Sequence, residues 1–167
     1  MAGYRRGYGQ LMTPELKPRL MAVDVGLTKI GIAVNDSLWL GATPLEVLTR
    51  TSRKADFAHL CRLLDRYEVA SVICGLPVSD HGDGETDRTA YIREWARRWM
   101  QAQRHWLEQA RPVIFWDERW TTAAAKIAQR EAGCHGPEDA VAAALILEAY
   151  MRARERSDPR GWGRIDP

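Results

Sequence analysis

Two stretches constrain this chain more than any others. "ASVICGLP" (70–77) and "VIFWD" (113–117) are short apolar runs of strand length. Between them lie a polar, glycine-rich loop, "VSDHGDGETD", and a helical stretch over roughly 87–109. A strand that is apolar throughout is buried on both faces, and two such strands joined through a helix run parallel. The chain is therefore expected to build an α/β domain whose sheet is covered on both sides.

The preceding segments extend that sheet. "RLMAVDVG" is an apolar run carrying one acid, Asp24, and "LTK" is a turn. "IGIAV" (30–34) returns as the second arm of a hairpin. "ATPLEVL" (42–48) alternates like a third strand, and Pro44 assigns it to an edge. Thr51 or Ser52 caps a helix from about 53 to 67, where Phe57, Leu60, Cys61 and Leu64 fall on one face. In the long helix, Trp95, Trp99 and Trp106 share nearly one side and read as core. A further helix follows the 113–117 strand, capped by Thr121 or Thr122 and ended by Gly133. Pro137 opens the last helix, with Glu138 and Asp139 in its first turn. There is no internal repeat and no second domain. Residues 1–18 and 155–167 read as tails around a domain at 19–154.

A length of 167 residues suits one core, and a net charge of +2 says little about partners. The arginines are less evenly spread: Arg88, Arg93, Arg97, Arg98 and Arg104 lie on the long helix, and others occupy both tails. Such clusters suit phosphate, although a solvated helix face explains them as well. The three cysteines have no CxxC spacing, and Cys61 and Cys74, within apolar stretches, fit buried thiols of a reducing compartment. No run approaches the roughly 18 apolar residues of a membrane span, and "MAGYRRGYGQ" lacks the apolar stretch of a signal peptide. The expected location is the cytoplasm.

The chemistry is concentrated in acids. In open α/β sheets ligands gather at the carboxyl ends of the strands. Asp24 in the first strand, Asp117 and Glu118 at the last, and Asp139 in the final helix are expected to meet there. A carboxylate within "MAVDVG" has a high desolvation cost unless it is paired or bound to a metal. Oxygen ligands without His or Cys nearby favour Mg²⁺ or Mn²⁺ over zinc, and the four histidines show no ligand spacing. "DVGLTKIG" is similar to the first phosphate motif of actin-like ATPases and sugar kinases, but those clamp ATP between two lobes and this chain has length for one. Cys74 has no His partner, and GxSxG is absent.

Four motifs in order carry a family resemblance: "MAVDVGLTKIGIAVND", "VICGLPVSDHG", "DERWTTAAA" and "EDAVAAALILEAYM". They resemble those of the YqgF family of RuvC-like proteins, known as Holliday junction resolvases or pre-16S rRNA nucleases. They span about 20–151, nearly all the chain outside the tails. The resemblance implies an RNase H-like fold with a five-stranded mixed sheet flanked by helices. It also implies divalent-metal cleavage of phosphodiester bonds, with Asp24, Glu118 and Asp139 matching the family's catalytic acids. Asp24 would bridge two Mg²⁺ or Mn²⁺ ions roughly 3.5–4 Å apart. Neighbouring strand residues face opposite ways, so only one acid of Asp117–Glu118 reaches the metals. Glu118, at the exit from the sheet, is the expected ligand, and Asp117 is expected to anchor structure.

Gly26 and Gly75 would let backbone approach the scissile phosphate, and Lys29, Arg119, Thr121 and Thr122 are candidates to touch the nucleic-acid backbone, with buttressing of the acids the equal alternative for Arg119. One departure shifts these expectations. The family carries a basic loop before the final acid, whereas this chain has only "GCHGPE" there. Either nucleic-acid contacts then shift to the Arg-bearing helix or the tails, or affinity is low. The substrate is a four-way DNA junction or precursor ribosomal RNA, with homodimerisation left open. The alternative is a non-catalytic nucleic-acid-binding or ribosome-associated factor with the same fold.

Overall fold

The computed structural model describes residues 16–77, 86–117, 136–156 and 163–167. In chain order its elements are β1 (Leu20–Val25), β2 (Lys29–Asn35), β3 (Ala42–Thr49), α1 (Arg53–Arg66), β4 (Ser71–Leu76), α2 (Asp87–Trp106), β5 (Val113–Asp117), α3 (Glu138–Glu155) and β6 (Arg164–Ile165). They build a mixed sheet in the order β3-β2-β1-β4-β5-β6. β1, β4 and β5 are parallel neighbours, and β2, β3 and β6 run antiparallel to the strands they flank. The expected helix after position 121 lies outside the described residues.

The two sides of the sheet are sorted by strand alternation. Val23, Ile32, Val72 and Phe115 pack with Phe57 and Leu60 of α1 and Trp95 and Trp99 of α2. Ala22, Ala33, Ile73 and Trp116 pack with Ala143, Ile146 and Leu147 of α3. β4 and β5 are thus covered on both faces, which explains their continuous apolar sequences. α3 meets the sheet through small residues, Ala140, Ala143 and Ala144, all fully buried. Side chains this short let a helix lie close to a sheet.

The local signals account for the helix starts. Ser52 Oγ accepts a hydrogen bond from the Ala55 amide at 3.2 Å, capping α1. Thr86 and Thr89 form a reciprocal capping box at the start of α2. α2 ends at Trp106, three residues earlier than expected, so Trp95 and Trp99 are buried while Trp106 is 37% exposed. Pro44 lies in β3, which is an edge strand as anticipated; the β2–β3 register shifts beside it.

The C-terminal segment departs from expectation. Residues 164 and 165 pair with Ile114 and Val113, and the Phe115 amide donates to the Gly163 carbonyl at 2.9 Å. Among the described residues the sheet therefore has six strands where five were expected, and part of the tail pairs with the outer edge of β5. Among the described residues, no helix is long and apolar enough to cross a membrane.

Candidate active site

The site begins with a strand residue that has no bulky neighbours. Asp24 is half-buried, although Val23 and Val25 beside it are almost fully enclosed. It shares the alternation of Leu20 and Ala22, both of which pack under α3, so it belongs to the α3 side of the sheet. Its partner on β2 is Gly31. On the other flank, Val23 pairs with Cys74, and one step further along the two parallel strands come Asp24 and Gly75. With glycine on both flanks, neither cross-strand neighbour sets a side chain beside Asp24.

The second acid arrives from the far end of the chain. An ideal Cβ placed on Gly31 would stand 1.9 Å from the Asp139 carbonyl oxygen and 3.0 Å from the Ala140 nitrogen. The first turn of α3 therefore rests directly on β2, opposite Asp24. This contact requires glycine for space, since Gly31 is not in the left-handed region. Asp139 is half-buried in the opening turn of α3, where the helix dipole favours a carboxylate. Pro137 starts that turn and its carbonyl accepts from the Ala140 and Val141 amides. The sequence reading did not single out Gly31. An isolated glycine inside "IGIAV" was the available signal, because glycine within a strand marks a close backbone approach.

Asp117 falls on the opposite side. Its register partner is Leu76, and its alternation follows Val113 and Phe115, which pack under α1 and α2. It is buried, at 2% exposure. Trp116 instead faces α3, stacked edge-on against Tyr150 with ring centroids 5.4 Å apart. Glu118, Arg119, Thr121 and Thr122 lie outside the described residues. Among the described residues no three acidic, His or Cys side chains gather into a metal-binding group; Asp24 and the first turn of α3 meet at one sheet end, on the α3 side.

The remaining candidates divide. Gly26 closes the β1–β2 turn: its amide donates to the Lys29 carbonyl at 2.8 Å, and a Cβ there would come within 2.7 Å of the same oxygen. Its lack of a side chain thus has a structural cause. Lys29 is exposed at the start of β2, on the same end of the sheet as Asp24. Gly75 is buried within β4. Several arginines of α2 have intramolecular partners, most of them at the surface. Arg97 and Arg98 both pair with Glu94, Arg93 lies over the Phe115 ring, and Arg104 donates to the Asp166 carbonyl. Cys61 and Cys74 are buried free thiols, as expected, and burial pushes the Cys61 thiol pKa up.

Comparison with known proteins places this arrangement. The family model described as RuvX, Holliday junction resolvase, matches residues 18–153. A protein of Bordetella petrii named "Putative pre-16S rRNA nuclease" is 39% identical over 134 residues, covering 80% of this chain and 95% of its own length. One of the same name from Koribacter versatilis is 33% identical over 150 residues, covering 84% and 92%. Among solved structures, T. thermophilus RuvC bound to a Holliday junction substrate matches with a TM-score of 0.60 at 16% identity, covering 86% of this chain and 99% of that one. A second structure of Thermus thermophilus RuvC gives 0.62 at 15% identity, with the same coverage. At such identities the likeness speaks for the fold, and the fold is the RuvC-like, RNase H-like one. The match over most of the chain, with an acid on the first strand and another on the last helix, makes this protein a member of the RuvX family of Holliday junction resolvases.

Proposed function

We propose that the protein is a divalent-metal-dependent nuclease that hydrolyses phosphodiester bonds in structured nucleic acid, with Asp24, Glu118 and Asp139 as its metal-holding acids. One observation carries the reading: Gly31, the cross-strand partner of Asp24, lies directly beneath the Asp139 carbonyl. This supports a site in which two acids distant in sequence meet at one sheet end. Asp117 points to the other face, which leaves Glu118 as the acid of the pair available to the site.

The donor set is all oxygen, which fits a pair of Mg²⁺ or Mn²⁺ ions and disfavours zinc. Ions of this kind supply Lewis acidity toward phosphoryl oxygens and ionise water near neutral pH. The chain's own part is to hold the carboxylates at a fixed spacing, which α3 does by seating on glycine. Its glycine-flanked acid also leaves room for a phosphate to approach. Lys29, Arg119, Thr121 and Thr122 are assigned to the nucleic-acid backbone, with Gly26 and Gly75 lining the approach.

The family description names a DNA junction and the curated relatives name a ribosomal RNA precursor. Cleavage should therefore be measured side by side on a four-way DNA junction and a structured RNA precursor, with Mg²⁺ and Mn²⁺. Asp24→Asn, Glu118→Gln and Asp139→Asn should each abolish cleavage while metal-free binding survives or tightens, because each removes negative charge facing a phosphate. Mg²⁺ or Mn²⁺ should raise the melting temperature of the wild type and lose that effect in Asp24→Asn. Wild-type cleavage by all three variants would exclude these acids as the active site.

A further inference from the structure

Beside the acid-bearing sheet end lies a hollow of about 300 Å³ between the β1–β2 turn and the start of α2. Val25, Leu27, Asp87, Arg88 and Tyr91 line it. Two of these residues are large apolar groups open to solvent: Leu27 is 72% exposed and Tyr91 38%. Tyr91 is nevertheless tied in place. Arg50 Nη1 donates to the Tyr91 hydroxyl at 2.6 Å and to the Gly26 carbonyl at 2.7 Å. The Arg50 guanidinium is steadied in turn by the buried Asp56 carboxylate, 3.6 Å from Nε. One arginine thus clamps the turn that follows Asp24 to the aromatic ring on α2.

We infer that this hollow receives an unpaired nucleobase of the substrate strand, stacked on Tyr91 and flanked by Leu27, next to the scissile phosphate. The inference rests on the nuclease reading for its place beside the site, but its binding chemistry is independent of cleavage. An exposed aromatic ring held by a buried ion pair is a preorganised stacking platform, and bases splayed from a helix stack on such rings. The charges around it select a nucleotide. Arg88 offers a cation to the strand's phosphate, whereas the Asp87 carboxylate repels phosphate from the hollow and accepts from the amino group of a base edge. The hollow opens at the same sheet end as Asp24, on the α2 side, with only Val25 and Gly26 between Leu27 and Asp24. A paired duplex offers no free base face to this hollow, so the subsite favours junction points, bulges and single-stranded segments over uniform helix.

The test is metal-free binding by the full chain, read as fluorescence anisotropy with short labelled oligonucleotides. Single-stranded DNA, single-stranded RNA and a fully paired duplex form the arms. Tyr91→Leu keeps the apolar bulk but removes the ring, and should weaken single-strand binding roughly tenfold to a hundredfold. Duplex binding should change little. Tyr91→Phe keeps the ring and should retain most of the affinity. Leu27→Ser, at an exposed turn position, should weaken single-strand binding in the same sense and guards against misfolding of the Tyr91 variants. A greater loss for one sugar type would identify the strand as DNA or RNA. Wild-type single-strand affinity in both Tyr91→Leu and Leu27→Ser would overturn the proposal, as would equal losses on duplex. Sedimentation showing a wild-type dimer that either variant dissociates would overturn it too, by assigning the hollow to a second copy of the chain. Cleavage is scored separately. If the wild type cuts nothing yet Tyr91→Leu loses single-strand affinity, the nuclease reading fails and the base subsite stands. Normal cleavage with unaltered binding by both variants removes the subsite alone.

Discussion

Replacing Gly31 with alanine tests whether the seating of α3 positions the chemistry. The added Cβ would stand 1.9 Å from the Asp139 carbonyl oxygen, where ordinary contact begins at 3.4 Å. Both sides of this contact are backbone, so no side chain can swing away. The first turn of α3 must retreat from β2 by about 1.5 Å, the difference between those two distances, and it carries Asp139 with it. Overpacking of this kind costs about 1–3 kcal/mol, which for a chain of this size lowers the melting temperature by about 2–12 °C. Misplacing a catalytic group by an ångström costs on the order of a hundredfold in rate. The assay pairs thermal unfolding with metal-dependent cleavage, both measured well below the variant's own transition. Gly41→Ala is the control: an added Cβ there meets nothing within 4 Å, and neither readout should move. If Gly31→Ala melts early yet cleaves at the wild-type rate, the helix seat is structural only. If it neither melts early nor slows, the close approach itself is wrong.

Three further outcomes follow from other parts of the fold. Burial alone would raise the Asp36 carboxyl, but the amides of Leu38, Gly41 and Leu40 bond to it and hold it below the ordinary carboxylate value. The stabilisation is thus complete above the unfolded pKa of about 3.9 and is lost as pH falls through the lower folded value. The Leu38, Leu40 and Gly41 amide resonances should shift in that acid range and not in Asp36→Asn; identical titrations would refute the link. In a Cys134→Ser background, the buried Cys61 and Cys74 should react with a thiol reagent only at the rate of unfolding, so fast labelling of the native protein would contradict their enclosure. Ending the chain after Arg156 removes β6, exposes the β5 edge, and should cost about 1–4 kcal/mol in lost ladder bonds. It should also promote concentration-dependent association through that edge; an unchanged melting temperature and a monodisperse sample would argue that the pairing is unimportant.

The parts that could be read in the sequence were those written in local periodicity. The apolar runs of β4 and β5, the alternation of β3 with Pro44, and the cap at Ser52 each depend on residues within one element. A period of two implied that only one acid of Asp117–Glu118 could share the face of Asp24, but not which; Asp117 lies on the α1–α2 side. The close seat of α3 was harder to see. "IGIAV" forms a strand with or without a helix above it, and what requires glycine at position 31 is the Asp139 backbone, supplied by a remote segment. β6 left still less trace, since two residues after a glycine have no periodicity and are held only by the strand they join. Arg97 and Arg98 showed a different problem. Their spacing from Glu94 fits helix ion pairs as readily as a phosphate-binding face, and the contacts are with Glu94. Tyr91 and Arg50 come from separate helix and loop segments, so their clamp appears only once α2 stands beside the β1–β2 turn.

The meeting of Asp24 with the first turn of α3 also bears on how the protein is born. The β1–β2 hairpin is local and can close as soon as it has left the ribosome, but the proposed site is not complete until Asp139 has been made and α3 has docked. At about 5–20 residues per second, the interval between the two acids lasts on the order of ten seconds. Throughout it, the nascent chain presents a sheet edge with one acid and no partner helix. On the proposed assignment of Asp139, cleavage would begin only once α3 has docked on β2. The glycine that admits α3 would then set an order of events: the two acids meet only after that helix is seated.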